Sequence, residues 1–156
     1  MDEKRPPNGR HPGIIPSVNK FGGLVIRHYR PDDEPYLMEL ERLSPRGEPR
    51  PFVHFRERFI DRAMLFKEPY LFIAEKDGRP VGVTSIAIKE TQIGNEYLRL
   101  AYSFDTRVHP KYRRMGIANA MQEEKLNFLY SEGVHGLYAD VISTNVASIR
   151  MLEKVG

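Results

Sequence analysis

The stretch VHPKYRRMGIANAM, Val108 to Met121, ends an extended run at a proline, continues with two arginines and places a glycine where a helix begins. Exposed N–H groups at a helix start, together with the positive end of the helix dipole, make such a place an anion site. Arg113 and Arg114 add fixed charge there. Gly116 removes the side chain where a phosphate would have to approach the backbone, and the small Ala118 nearly repeats this. A diphosphate is the natural ligand. The phosphate-loop spacing GxxxxGK[ST] and the dinucleotide fingerprint GxGxxG are both absent. Taken alone, the segment is equally well a solvated helix that opens with Arg-Arg-x-Gly. A second unusual residue is Asp140, an acid between Ala139 and Val141 in an extended run, where a carboxylate is costly unless it is used or paired.

Composition narrows the chemistry further. The chain has 156 residues, 24 Lys+Arg against 21 Asp+Glu, a formal charge of +3, and no cysteine or tryptophan. That removes a thiol nucleophile, a zinc ribbon, iron–sulfur ligation and a redox pair. The histidines have no ligand-like spacing, so no metal is expected. With 40% hydrophobic and 29% charged residues the chain can build a core. Its basic residues are scattered among acidic ones, which argues against nucleic acid as a partner. No run approaches the ~18 apolar residues of a membrane span, and the first 30 residues lack a secretory apolar block. A soluble protein with a small-molecule site follows, placed in the cytoplasm, with the nucleus also compatible.

Certain elements must position these residues. Residues 1 to 23 are rich in Pro and Gly and read as a mobile arm, with the folded domain spanning 24 to 156. LVIRHY (24–29) reads as a strand, and Asp32 or Asp33 as the cap of a helix carrying Tyr36, Leu37, Leu40 and Leu43. After the Pro-rich loop 44–51, the spacing of Phe52, Phe55, Phe59 and Phe66 predicts a second, core-facing helix. YLFIA and VGVTSIAI, joined across Asp77-Gly78, are a hairpin. After a polar turn at 91–96, Tyr97 to Val108 extends with Tyr102, Phe104, Thr106 and Val108 on one face and Ala101, Ser103, Asp105 and Arg107 on the other. A helix from Gly116 to Glu132-Gly133, a strand at 136–142 and a last helix from about Asn145 complete a mixed α/β order. Its sheet is antiparallel early and parallel late.

Arg113-x-x-Gly116-x-Ala118 matches the [RQ]xxGx[GA] signature of the GNAT superfamily of acyl-CoA-dependent N-acyltransferases. RVHPKYRRMGIA resembles that family's strand-loop-helix, GVHGLYADVISTNVASIRMLEKVG its second block, and FIAEKDGRPVGV its early strand pair. The resemblance covers 24–156. It implies the acyl-CoA N-acyltransferase fold, acetyl-CoA as acyl donor, no metal, and transfer of the acetyl group to an amine acceptor, either a peptide N-terminus, a lysine or a small amine. Without cysteine, the transfer would be direct, through a ternary complex.

The resemblance also implies site residues. The pyrophosphate would be held by the backbone of Arg114, Met115, Gly116, Ile117 and Ala118, with Arg113 opening the signature. Thr106, Arg107 and Val108 would run along the pantetheine, a backbone N–H near Val108 would polarise the thioester carbonyl, and Asn145 would contact the pantetheine. Tyr102 and Asp140 resemble positions that hold a water-positioning tyrosine and a base. A half-buried strand aromatic accounts for Tyr102 equally well, and the arginines of 45–51 read either as acceptor contacts or as solvated loop.

Two positions depart from the pattern. Leu152 stands where many members carry a tyrosine acid, and after Gly156 the family adds an aromatic residue and two strands. The sheet would then carry an open edge, which a second copy of the chain could cover. Leu152 and the missing strands favour a rival reading, an acyl-CoA-binding module without turnover. A third, weaker reading is a nucleic-acid adaptor that uses the basic arm.

Overall fold

The computed structural model describes residues 17–18, 22–46, 50–53 and 55–153. Its strands are β1 (Ser17–Val18), β2 (Leu24–His28), β3 (Pro69–Lys76), β4 (Arg79–Ile93), β5 (Glu96–Val108) and β6 (Gly136–Ala139), joined in one sheet in that order. Every pairing is antiparallel except β5 with β6. Helices α1 (Glu34–Leu43), α2 (Ile117–Ser131) and α3 (Val146–Glu153) complete the described chain. The mixed α/β sheet is the expected one. Most of the segment read as an arm lies outside the described residues, but Ser17 and Val18 within it pair with Ile26 and Val25.

One helix covers each face of the sheet, and each face has its own core. On the α2 side Ile26, Phe72, Ile86 and Ala101 pack with Met121 and Phe128. On the α1 side Leu71, Ile73, Val83 and Phe104 pack with Leu37, Leu40 and Phe59. The β3–β4 turn places Asp77 and Gly78 at φ 51° and 76°, the mirror-image turn that Asp-Gly favours. The following hairpin is longer than the sequence indicates: β4 pairs through Ile93 with Glu96, so only Gly94 and Asn95 turn.

Three expectations need correcting. Asp33 sits at the start of α1, but its carboxylate accepts from the Arg30 N–H (2.7 Å) and pairs with Arg27 (2.7 Å), so it caps the preceding 3-10 turn instead. The helix expected over 52–66 is only a 3-10 segment, Phe59–Leu65. Phe52 forms an isolated bridge with Arg46, and Phe55 is fully exposed. The irregular backbone there turns Arg56 inward, with its side chain only 8% exposed, onto Glu41 and Asp105. Ion pairing has displaced the apolar period.

The third correction concerns β5. Val83 pairs with Arg107 but Ser85 with Phe104, so β5 carries one extra residue at 105–106. This is a β-bulge, and Asp105 takes φ 52° in it. Alternation reverses across the bulge. Tyr102 and Phe104 belong to the α1 side. Beyond it Arg107 reaches α1 through Glu41, whereas Val108 packs on the α2 side. Thr106 pairs its hydroxyl with Thr84 (2.8 Å). Thr106 and Val108 therefore do not share a face with Tyr102.

Candidate active site

β5 and β6 run parallel only from Leu100–Gly136 to Ser103–Ala139. Beyond that pair β5 continues to Val108 while β6 ends, and the chain leaves through Asp140 toward α3. The gap between the diverging strands is a cleft of about 990 Å³. β5 from Tyr102 to Val108 and the segment from Ala139 to Ile142 form its walls. α2 contributes Ala118 and Lys125, α3 contributes Leu152, the residue just before α3 contributes Asn145, and the loop after α1 contributes Ser44 to Arg46.

Its anion end is the start of α2. Gly116 is the N-cap at φ 77°, no described side chain caps the helix, and the first turn holds no acid. The first intrahelical bond runs from Ala120 N–H to the Gly116 carbonyl (3.0 Å), so the N–H groups of Ile117, Ala118 and Asn119 have no acceptor within the helix. Arg114, just before, also takes a positive φ, 63°. Arg113 crosses from this loop to the Val108 carbonyl (3.3 Å) and the Ser44 hydroxyl (3.2 Å). The His109 N–H donates to the Val81 carbonyl (2.8 Å). By antiparallel alternation the Val108 N–H then faces the open flank of β5.

At the fork, the Tyr102 hydroxyl donates to Asp140 Oδ2 (3.1 Å). Arg62 Nη2 donates to the Tyr102 hydroxyl oxygen (3.4 Å). Tyr102 is held between Phe104, stacked at 5.5 Å, Phe66 and Tyr138. Burial first, and then the bond to Asp140, push the Tyr102 hydroxyl above its ordinary value. It stays protonated near neutral pH and is a donor. Asp140 is exposed to the cleft.

Of the residues expected to hold a cofactor, Thr106, Arg107, Val108, Arg113, Ala118 and Asn145 line the cleft. Arg114 and Met115 lie on the exposed loop, whereas Gly116 has no side chain and Ile117 is buried in the core, so these last two could contribute backbone only. Arg107 sends its side chain away from the α2 side to Glu41 (2.7 Å), with 3% exposure. Asn145 Oδ1 accepts the Ser148 N–H (3.2 Å), so it caps α3 and leaves only its amide N–H₂ for a ligand.

Sequence reasoning missed the charged floor. Asp105, 1% exposed, pairs with Arg56 (2.9 Å), Arg62 (2.9 Å) and Arg46 (3.4 Å), while Glu41 pairs with Arg56 and Arg107. Burial raises the Asp105 carboxyl, but the adjacent guanidiniums of Arg56, Arg62 and Arg107 outweigh it and hold the group below the usual range. Arg46 is lowered, by burial first and then by the neighbouring Arg107 charge. These partners come from four separate segments, and no local spacing announces them.

Lys125 was also missed. It is 1% exposed, and its ammonium donates to the Ser103 hydroxyl (2.9 Å). Burial lowers it to about 8. A buried lysine binds fewer protons folded than unfolded between about pH 8 and 10.5, so stability rises with pH across that window. The full rise is about 3 kcal/mol. Tyr29 and Tyr102, both raised, oppose it only from about pH 10 upward. Urea unfolding between pH 7 and 9.5 should therefore show wild type gaining stability, with Lys125→Met nearly flat and more stable at pH 7. An equal slope in both proteins would refute the assignment.

The model of the acetyltransferase (GNAT) family matches residues 34–156. The chain belongs to this family. No curated protein sequence matches this GNAT acetyltransferase at a significant level. Among solved structures, a transcriptional regulator from Bacillus halodurans C-125 superposes with TM-score 0.71 at 16% identity, over 85% of this chain and 91% of that one. An aminoglycoside acetyltransferase from an uncultured soil metagenomic sample, in complex with trehalose, gives 0.64 at 18%, over 85% and 86%. An aminoglycoside N-acetyltransferase in complex with CoA gives 0.63 at 16%, over 84% and 89%. At these identities the likeness is one of fold. Within the GNAT fold, the start of α2 presents N–H groups with no acceptor in the helix, and the Val108 N–H faces the gap between the forked β5 and β6, next to the carbonyl that Arg113 bonds.

Proposed function

We propose that the chain transfers an acetyl group from acetyl-CoA to a primary amine by direct attack in a ternary complex. The observation that carries this reading is the Tyr102–Asp140 pair at the fork of the cleft, on the path between the α2 start and the loop after α1. Acetyl-CoA supplies a thioester-activated acetyl group. The N–H groups at the start of α2 would hold its pyrophosphate, with Arg113 alongside, and Thr106, Val108 and the Asn145 amide would line its arm. The Val108 N–H donates toward the carbonyl oxygen that gains charge on attack.

An amine reaches the fork as an ammonium and must lose a proton before it can attack. Asp140 takes that proton, directly or through a water that the Tyr102 hydroxyl orients. The new N–C bond then replaces C–S; the sulfur departs as thiolate and is protonated through solvent, because Leu152 has no proton to give, while the nitrogen releases its second proton to solvent to leave the neutral amide. Leu152 also favours a second reading, a CoA-binding module without turnover.

Gly116→Glu tests the binding half. A side chain at φ 77° is strained, and a carboxylate there repels an anion. Isothermal titration should show acetyl-CoA affinity reduced more than about 100-fold, the ~2.7 kcal/mol expected from losing charge-assisted hydrogen bonds and adding like charge. Unchanged affinity in a folded variant would place the cofactor elsewhere. Thiol release with a panel of amines separates enzyme from module.

A further inference from the structure

Among the described residues, the acceptor end of the cleft holds more guanidinium than it cancels. Two carboxylates, Glu41 and Asp105, face four arginines, Arg46, Arg56, Arg62 and Arg107. Two N–H-bearing atoms of this network, Arg56 Nη2 and Arg107 Nε, are buried without a hydrogen-bond partner among the described residues, and Arg107 lines the cleft. Leaving charged donors buried and unpaired is costly.

Arg46 and Arg62 also line the cleft, with side chains 30% and 31% exposed, so both can turn remaining N–H groups toward a guest. Arg62 lies 3.4 Å from the Tyr102 hydroxyl, beside the place where an amine would lose its proton. The described cleft wall offers only Asp105 and Asp140 as acids. Asp105 is already shared among three arginines.

We propose that the acceptor is a primary amine that also carries an anionic group, a carboxylate or a phosphate, held by Arg62 and Arg46 while its amine faces Tyr102 and Asp140. The inference rests on the acetyl-transfer reading above and adds the acceptor's charge class. Paired guanidiniums match the oxygens of carboxylates and phosphates in two-point contacts. The closeness of Arg62 to Tyr102 sets the anion within a few bonds of the amine. A polycationic amine would bring like charge against the same arginines.

The test compares acceptors that differ only in the anion. Thiol release from acetyl-CoA is measured with glycine and β-alanine against their amides, with 2-aminoethyl phosphate against ethanolamine, and with spermidine and kanamycin. The acids should exceed their neutral partners by ten- to a hundredfold in kcat/KM, as charge-assisted hydrogen bonds provide, and should exceed both polycations. The carboxylate and phosphate arms show which anion is preferred. Arg62→Gln should bring the acid-to-neutral ratio toward one, and Arg46→Gln should lower it separately, each with the unfolding midpoint checked.

Equal rates for acids and amides, or a preference for the polycations, would overturn the inference while leaving acetyl transfer intact. If acetyl-CoA binds but no amine is turned over, titrating the same pairs into the CoA-loaded protein reads the same preference. Equal binding of acid and amide would then overturn it. Failure of acetyl-CoA itself to bind is a separate result, against the proposed function.

Discussion

Replacing Asp105 by Asn is expected to destabilise the protein by about 3–5 kcal/mol, the usual cost of leaving buried charges without their partner. The carboxylate is 1% exposed and is shared by Arg46, Arg56 and Arg62. Its removal leaves those guanidiniums facing one another and Arg107, with Glu41 alone in compensation. Asn is the informative substitute because it tolerates positive φ, and Asp105 stands at φ 52°. Asp105→Ala adds backbone strain of about 1 kcal/mol or more, so it should be the worse variant by that margin. Since the folded carboxyl lies below its ordinary value, its stabilisation is present above about pH 3.9 and is lost as pH falls through the folded value. Denaturant midpoints at pH 7 and pH 3.5 should therefore differ less in Asp105→Asn than in wild type. A loss under about 1 kcal/mol at pH 7 would mean that the arginines find other partners.

Asp140→Asn should lower kcat by about 10²–10⁴ for any amine that is turned over, the range for removing a positioned base. Acetyl-CoA affinity and the unfolding midpoint should both hold, because Asp140 is exposed and its hydrogen bond is to the Tyr102 hydroxyl alone among described partners. Tyr102→Phe offers the complement: it keeps the ring packed against Phe104 and Phe66 but removes the donor to Asp140. Steady-state kinetics of the three proteins, with calorimetry for the cofactor, decide the matter. A kcat within threefold of wild type for Asp140→Asn would reduce the pair to a strut at the fork.

The parts of the fold that sequence reading captured are those written in short stretches. Asp77-Gly78 specifies its turn, Gly116 supplies the positive φ at the start of α2, and the apolar runs of β3 and β4 are buried almost end to end. The Tyr102–Asp140 meeting was legible only through the resemblance, since the two are 38 residues apart. What could not be read was decided by distant partners. Arg56 overrode the phenylalanine spacing because Glu41 and Asp105 draw it inward, and the charged floor is assembled from α1, two loops and β5. Nothing local in the sequence shows that Ser103 and the sheet enclose Lys125.

The bulge in β5 works as a frame shift in space. Upstream of it the even-numbered positions look toward α1, and downstream the odd-numbered ones do, so neighbours 107 and 108 answer to different bodies of the molecule. The cationic floor and the backbone donor at Val108 are thereby set on one strand within four residues of each other. Each can be altered without disturbing the packing of the other, provided that the count of residues in β5 is kept.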